Sequence, residues 1–240
     1  MNFPTLIPGT FIKRGNRFVA DIRLDEGGLA RAFVPTTGRL TGALQPGCRV
    51  WLEPAKDAKR KTPYNLTLTE LVHGGLCSVN AYLANRLFEE AVRLKRLSAF
   101  PCDEVYREVP YGRSRLDFRL VNQGQPCWVE VKSVTYAAEG VGRFPDAPTE
   151  RGRKHLGELA KLAASGGRAS VVFVAQREDA ARFAPFEAID PNFSRDLRNV
   201  QQKGVEVHAY RCVVSTKEIE IIEEIPVDLK MQSASEKFIM

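Results

Sequence analysis

Two short runs constrain this chain more than any other feature: Arg115-Leu116-Asp117-Phe118-Arg119-Leu120 and Trp128-Val129-Glu130-Val131-Lys132. Each alternates apolar and polar residues with the period of two that a half-buried strand requires. Leu116, Phe118 and Leu120 share one predicted face, and Val129 and Val131 share another. The intervening Asn122-Gln123-Gly124-Gln125-Pro126 is polar and carries Gly and Pro, which predicts a hairpin turn. Folding the hairpin about Gln123–Gly124 sets Asp117 opposite Glu130, with Cβ atoms roughly 5 Å apart. Carboxylates that close repel unless a proton or a cation joins them. Lys132 lies on the face of Glu130 and supplies a third polar group.

That constellation has a chemical use. Asp117, Glu130 and the strand carbonyl of Val131 are a donor set for a hard divalent cation such as Mg²⁺ or Mn²⁺, which keeps several waters. A lysine beside such an ion can orient or deprotonate an attacking water, while the ion stabilises charge on a phosphodiester. The Asp…Glu-x-Lys pattern resembles the PD-(D/E)xK nuclease superfamily, with Glu130-Val131-Lys132 as its second half. Asp117, Glu130 and Lys132 are then the candidate catalytic residues. On these two strands alone, a solvated surface of cross-strand Glu, Lys and Arg is the competing reading.

Length and charge set the wider frame. A chain of 240 residues allows two modest domains or one large one, and 44% hydrophobic residues is ordinary for a globular protein. No apolar run approaches the ~20 residues of a membrane span. Met1-Asn2-Phe3-Pro4 does not open a signal peptide. The five cysteines are scattered without a C-x-x-C, which fits reduced thiols in a cytoplasmic protein better than disulfides or zinc. Residues 1–168 carry a net charge of +9 and residues 169–240 a net −3. A basic front on an acidic back suits a polyanion-binding protein.

Residues 9–72 read as about five short strands broken by turns, with no convincing helix, which suggests a small closed barrel such as an OB-fold. Its candidate nucleic-acid contacts are Arg14 and Arg17 at a turn, Arg39 after Thr36-Thr37-Gly38, and Lys59-Arg60-Lys61 leading to Tyr64. Such barrels bind single strands through basic grooves and stacking aromatics; a solvated loop is the alternative. Phe18, Phe33 and Trp51 sit at strand positions among apolar residues and are assigned to the core. Gly74-Gly75 marks the boundary, so that residues 1–75 form one expected domain, 76–230 a second, and 231–240 a polar tail.

The second domain opens with a predicted amphipathic helix over 78–97. On its wheel Glu90 falls inside the apolar stripe and Glu89 at its edge. Nuclease-like domains often place a helix acid near the metal, making Glu90 the candidate and Glu89 the fallback; a salt bridge is the alternative. Residues 133–139 are expected to continue the second hairpin strand and 140–148 to form a loop. Thr149 reads as the N-cap of a helix through 164. Arg151, Arg153, Lys154 and His155 in its first turns oppose the helix dipole, which makes sense where an anion binds. Val171-Val172-Phe173-Val174 reads as a central strand, followed by a helix over 191–203 and strands near 205–212 and 219–225. The order predicts a mixed sheet flanked by helices.

With these residues placed, the chain resembles the sugar fermentation stimulation protein A family over nearly its full length. The motifs are Phe33-Val34-Pro35-Thr36-Thr37-Gly38-Arg39, Lys59-Arg60-Lys61-Thr62-Pro63-Tyr64, Asn85-Arg86-Leu87, Glu130-Val131-Lys132-Ser133-Val134-Thr135 and Ala209-Tyr210-Arg211-Cys212, together with the highly specific Phe144-Pro145-Asp146-Ala147-Pro148-Thr149-Glu150-Arg151-Gly152-Arg153-Lys154-His155. Thr36 stands where an Asn is expected. The resemblance implies an OB-fold joined to a PD-(D/E)xK-like domain. It also implies a protein that binds DNA without sequence preference and is linked to sugar (maltose) gene regulation. Two functions follow as expectations: a DNA-binding (or RNA-binding) regulator, and a Mg²⁺- or Mn²⁺-dependent nuclease.

Overall fold

The computed structural model describes residues 1–230 apart from Ala58 and Arg113; the expected tail lies outside the described residues. The first part is a barrel built from β1 (Ile7–Asn16), β2 (Val19–Leu24), β3 (Leu29–Phe33), β4 (Arg49–Pro54) and β5 (Tyr64–Glu70), with β6 (Leu76–Ser78) added at β5. The antiparallel order β3-β2-β1-β4-β5 closes through a short parallel pairing, Ala32↔Tyr64 and Phe33↔Asn65. Alternation fills the interior: Phe11, Ala20, Ile22, Ala32, Val50, Leu52 and Leu66 are buried together. The predicted OB-like barrel is therefore present, but two assignments within it change. Phe18 is 44% exposed and Phe33 only partly buried, whereas Trp51, also partly buried, packs against the core of the second part. Phe18 lies in the turn that leads into β2, and Phe33 falls on the outward phase of β3.

The second part is a six-stranded mixed sheet. Its elements are α1 (Tyr82–Arg93), β7 (Glu104–Tyr111), β8 (Ser114–Asn122), β9 (Gln125–Val134), α2 (Glu150–Ala164), β12 (Arg168–Ala175), α3 (Pro191–Gln202), β14 (Glu206–Val214) and β15 (Ile219–Glu224). A small side sheet is made by β10 (Tyr136–Ala138), β11 (Val141–Phe144) and β13 (Arg182–Pro185). The main order is β15-β14-β12-β9-β8-β7, with β9, β12 and β14 mutually parallel. The β12 strand is central and buried along almost its whole length, as its unbroken apolar run requires. Val172 and Val174 pack toward α1, while Val171 and Phe173 pack with α2 and α3. No helix among the described residues is long and apolar enough to cross a membrane.

Local chemistry explains where elements begin and stop. The expected 78–97 helix is shorter because Ser78 and Val79 donate their N–H groups to the carbonyls of Gln176 and Thr67, tying that stretch to strands. It ends where Lys95 turns to φ 56° and the Lys95 and Arg96 N–H groups return to the carbonyls of Val92 and Ala91. Thr149 caps α2 through its Oγ1, 3.0 Å from Gly152 N. Its own N–H donates to Asp190 Oδ2, and Asp190 Oδ1 in turn caps α3 at Phe193. One buried aspartate thereby starts α3 and docks the start of α2. The 133–139 strand breaks after Val134, and the expected 140–148 loop contains β11.

Barrel and sheet are joined by named contacts. Ala81 N donates to Pro35 O at 3.1 Å, and Leu40 N to Asp146 Oδ2 at 2.9 Å. At Gly38 the barrel loop passes so close that a Cβ would lie 2.5 Å from both Asp146 carboxylate oxygens. Arg177 is the pin. Buried at the end of β12, it donates to Gly42 O, Thr135 O and both oxygens of Asp179. Arg177→Ala strips two carbonyls and a half-exposed carboxylate of a donor and is expected to lower unfolding free energy by about 1–3 kcal/mol. Urea unfolding against wild type checks this.

Candidate functional site

The β8–β9 ladder pairs Phe118↔Val129 and Asn122↔Gln125. Extending that register by one residue places Asp117 opposite Glu130. There the ladder stops being purely backbone: Asp117 Oδ2 accepts the N–H of Val131 at 2.8 Å. The expected alternation also breaks here, since Phe118 and Leu120 pack toward α1 but Leu116 packs toward α2. Asn85, one turn into α1, lies near the Asp117 carboxyl and favours its charged form. Glu130 is 2% exposed. Its Oε1 accepts from Lys132 Nζ on the same strand and contacts His155 Nδ1, delivered by α2. Its Oε2 is buried and has no protein partner.

These surroundings split the two acids. Burial, and then the neighbouring Glu130 charge, push the Asp117 carboxyl from an ordinary 3.8 up to about 6, against the pull of Lys132, the Val131 N–H and Asn85. Burial would also raise Glu130, but Lys132 and His155 together outweigh it and hold that carboxyl below its ordinary value. Among the described residues no three His, Cys, Asp or Glu side chains form a metal-holding group. A hard cation such as Mg²⁺ needs only one or two carboxylates and fills the rest of its shell with water. The buried, unpartnered Oε2 of Glu130 beside a proton-retaining Asp117 fits that kind of ion.

The other sequence-derived candidates separate into groups. Glu90 and Glu89 do not join the carboxylate pair, and that expectation is corrected. Glu90 Oε2 lies 3.1 Å from the Met1 amine, and Glu89 pairs with Arg93 and Arg107. The helix face toward Asp117 is that of Asn85, and five residues further on Glu90 points well away from it. His155 is likewise corrected as a nucleic-acid contact, because at 4% exposure it serves Glu130 instead. Arg153 is paired with Asp196 of α3 at 2.7 Å, while Arg151 and Lys154 remain exposed.

On the barrel, Arg14 donates to the carbonyls of Gly38, Arg39 and Arg17, and Arg60 to Asn65 Oδ1 and Thr62 Oγ1. Tyr64 packs against the barrel core. Arg17, Arg39, Lys59 and Lys61 are the exposed members. Asn85 was missed as a site residue, although Asn85-Arg86-Leu87 stood among the motifs.

The raised Asp117 pKa has a stability consequence. Below 3.8 the group is protonated whether folded or unfolded; between 3.8 and about 6 only the fold keeps the proton, so this group's contribution falls as pH rises. Asp117→Asn is therefore expected to stabilise the metal-free protein by on the order of 3 kcal/mol above that window and by nothing below it. Urea unfolding of both proteins on either side of the window measures the difference.

Comparison with known proteins agrees with this architecture. Residues 82–218 match the family model described as the sugar fermentation stimulation protein RE domain, and residues 12–79 that of the SfsA N-terminal OB domain. The solved structure of Pyrococcus furiosus SfsA in complex with Ca²⁺ is 32% identical, covers 95% of this chain and 98% of its own, and superposes with a TM-score of 0.88. A repair endonuclease from Pyrococcus abyssi aligns over 85% of this chain and 87% of its own at 12% identity with a TM-score of 0.32, too slight a likeness to carry an argument. With both parts matched and a relative alike along almost the whole chain, the protein belongs to the sugar fermentation stimulation protein (SfsA) family.

Proposed function

We propose that the protein binds nucleic acid and that its carboxylate site hydrolyses phosphodiester bonds with the help of Mg²⁺ or Mn²⁺. The observation that carries this reading is the orphaned Oε2 of Glu130 beside Asp117. A buried acceptor without a donor is rare and calls for a partner, and the neighbouring carboxyl gives up its proton only near pH 6. A divalent cation satisfies both. Asp117, Glu130 and the Val131 carbonyl would hold it, and when bound it supplies charge to phosphate oxygens and acidifies a water. The Ca²⁺ named for the Pyrococcus furiosus relative supports an ion of this hard, oxygen-seeking class.

The chain's own residues then divide the work. In hydrolysis a water oxygen bonds to phosphorus, its proton leaves to a base, and the ester oxygen departs and is protonated. Lys132, the part-buried member of the set, is the residue that orients that water. His155 and Asn85 touch the carboxylates rather than the substrate, so they position Glu130 and Asp117. Exposed Arg17, Arg39, Lys59 and Lys61 on the barrel, with Arg151 and Lys154 at the start of α2, supply cations for phosphates.

A second reading has its own observation. The Lys132 amine is engaged by Glu130, as in a site that clamps nucleic acid without cutting it. That suits a DNA binder without sequence preference acting on sugar (maltose) metabolism genes.

Two measurements separate these readings. Asp117→Ala is expected to lower Mg²⁺- or Mn²⁺-dependent cleavage of labelled DNA on the order of a hundredfold or more; unchanged cutting would remove this site from the reaction. Affinity for DNA should fall steeply with salt, and Lys59→Ala should reduce the slope of log affinity against log salt by about 1. Salt-insensitive or absent binding would sink both readings.

A further inference from the structure

The outer wall of the barrel carries an aromatic surface that neither the carboxylate chemistry nor the core explains. Phe18 and Phe33, on β2's entry and β3, lie with ring planes within 18° and centroids 6.4 Å apart. The Arg60 guanidinium lies over the Phe33 ring, 5.5 Å from its centroid. Because Arg60 donates to Asn65 and Thr62, it is a plate held in place rather than a hand reaching for phosphate. Phe18 is nearly half exposed yet carried on a pinned backbone. Its N–H donates to Asn16 Oδ1 at 2.8 Å, and its carbonyl accepts from Val34 N at 2.9 Å.

The charge around these rings is predominantly basic, although Asp21, paired with Arg31, and Glu53, across Asn65 from Phe33, share the outward face. Arg14 and Arg17 precede Phe18 on the same turn, Lys59 and Lys61 flank Arg60, and Arg39 lies in the loop whose carbonyls hold Arg14. The nearest acid in the Lys59 loop, Asp57, accepts from the Lys59 backbone N–H. An exposed π-face held rigid and ringed by Arg and Lys is complementary to a base on a phosphate chain.

We propose that Phe18, Phe33 and Arg60 form a stacking platform for unpaired bases, so that the nucleic acid taken by the barrel is single-stranded. This rests on the nucleic-acid reading above and narrows it. In a duplex both faces of an internal base are covered by its neighbours, so only an unpaired base can lie on Phe18 or on the Arg60 plane. The exposed cations around the rings then meet the backbone phosphates.

The platform is also tied to the carboxylate pair through the chain itself. Phe33 leads into residues 34–40, where Pro35 accepts from Ala81 just before α1 and Leu40 donates to Asp146 just before α2. Those two helices deliver Asn85 and His155 to the acids.

The test is fluorescence anisotropy with three labelled probes of equal length: oligothymidylate, an abasic strand with the same phosphates, and a duplex. Wild-type protein is expected to prefer oligothymidylate over the abasic strand by on the order of tenfold, and Phe18→Ala to remove most of that margin. Phe18→Trp, which keeps a π-face, should retain it. Equal affinity for thymidylate and abasic strands in wild type, a uniform loss on all three probes in Phe18→Ala, or tighter binding of the duplex would overturn the platform. Salt-sensitive binding of all three without base dependence would overturn it while leaving the nucleic-acid reading intact. No binding of any probe at low salt would end both.

Discussion

The structure turns on the burial of one carboxylate. Removing an ion such as Glu130 from water costs several kcal/mol unless opposite charge and hydrogen bonds replace the lost hydration. Lys132 and His155 supply them, and neither is placed by chance. Lys132 is there because a strand repeats every two residues. His155 is there because α2 is capped by Thr149 and docked by Asp190. The strand must in turn run parallel to β12 with Val171 beside Glu130. A local failure in any of these elements would leave a buried charge without its partners, so the site and the stability of the sheet are coupled.

That coupling also sorts the basic residues. A sequence rich in Arg and Lys over its first two thirds invites a single explanation, yet the side chains do different jobs. Arg14, Arg60 and Arg177 are fixed on carbonyls or side-chain oxygens, and they shape loops and the barrel–sheet joint. Arg153 bridges two helices. Most of the others are exposed, many on the barrel but also along α1, β7 and β8 and at the start of α2, and several of these, such as Arg93, Arg107 and Arg49, are paired with acids. Net charge therefore overstates the number of cations that stand without a fixed protein role.

Much of this was legible beforehand because periodicity and turn chemistry are local. The alternation in 115–120 and 128–132, with Gln123-Gly124 between, was enough to bring Asp117 against Glu130. The unbroken apolar run at 171–174 was enough for a central strand. What failed depended on distant partners. The helix wheel showed that Glu90 lay within an apolar stripe but could not show that the Met1 amine would meet it. His155 read as one of four basic residues at a helix start, because nothing local reveals that its face turns inward onto Glu130. Phe18 and Phe33 were assigned inward because apolar neighbours do not say which phase of a barrel strand faces out. Arg177 lies between the predicted 171–174 strand and the predicted 191–203 helix, where nothing in the local sequence marks its role.

The joint made by Arg177, Asp146 and Gly38 has a consequence for scale. A flexible linker would let barrel and sheet sample many separations, and a bound chain could span them at any length. Here loop backbone, a buried guanidinium and a close glycine contact hold the two parts against each other, so the gap between the barrel's outer wall and the paired carboxylates belongs to the protein. A polymer lying across both would be gauged by it, in whole nucleotides, as a ruler with its two marks already cut.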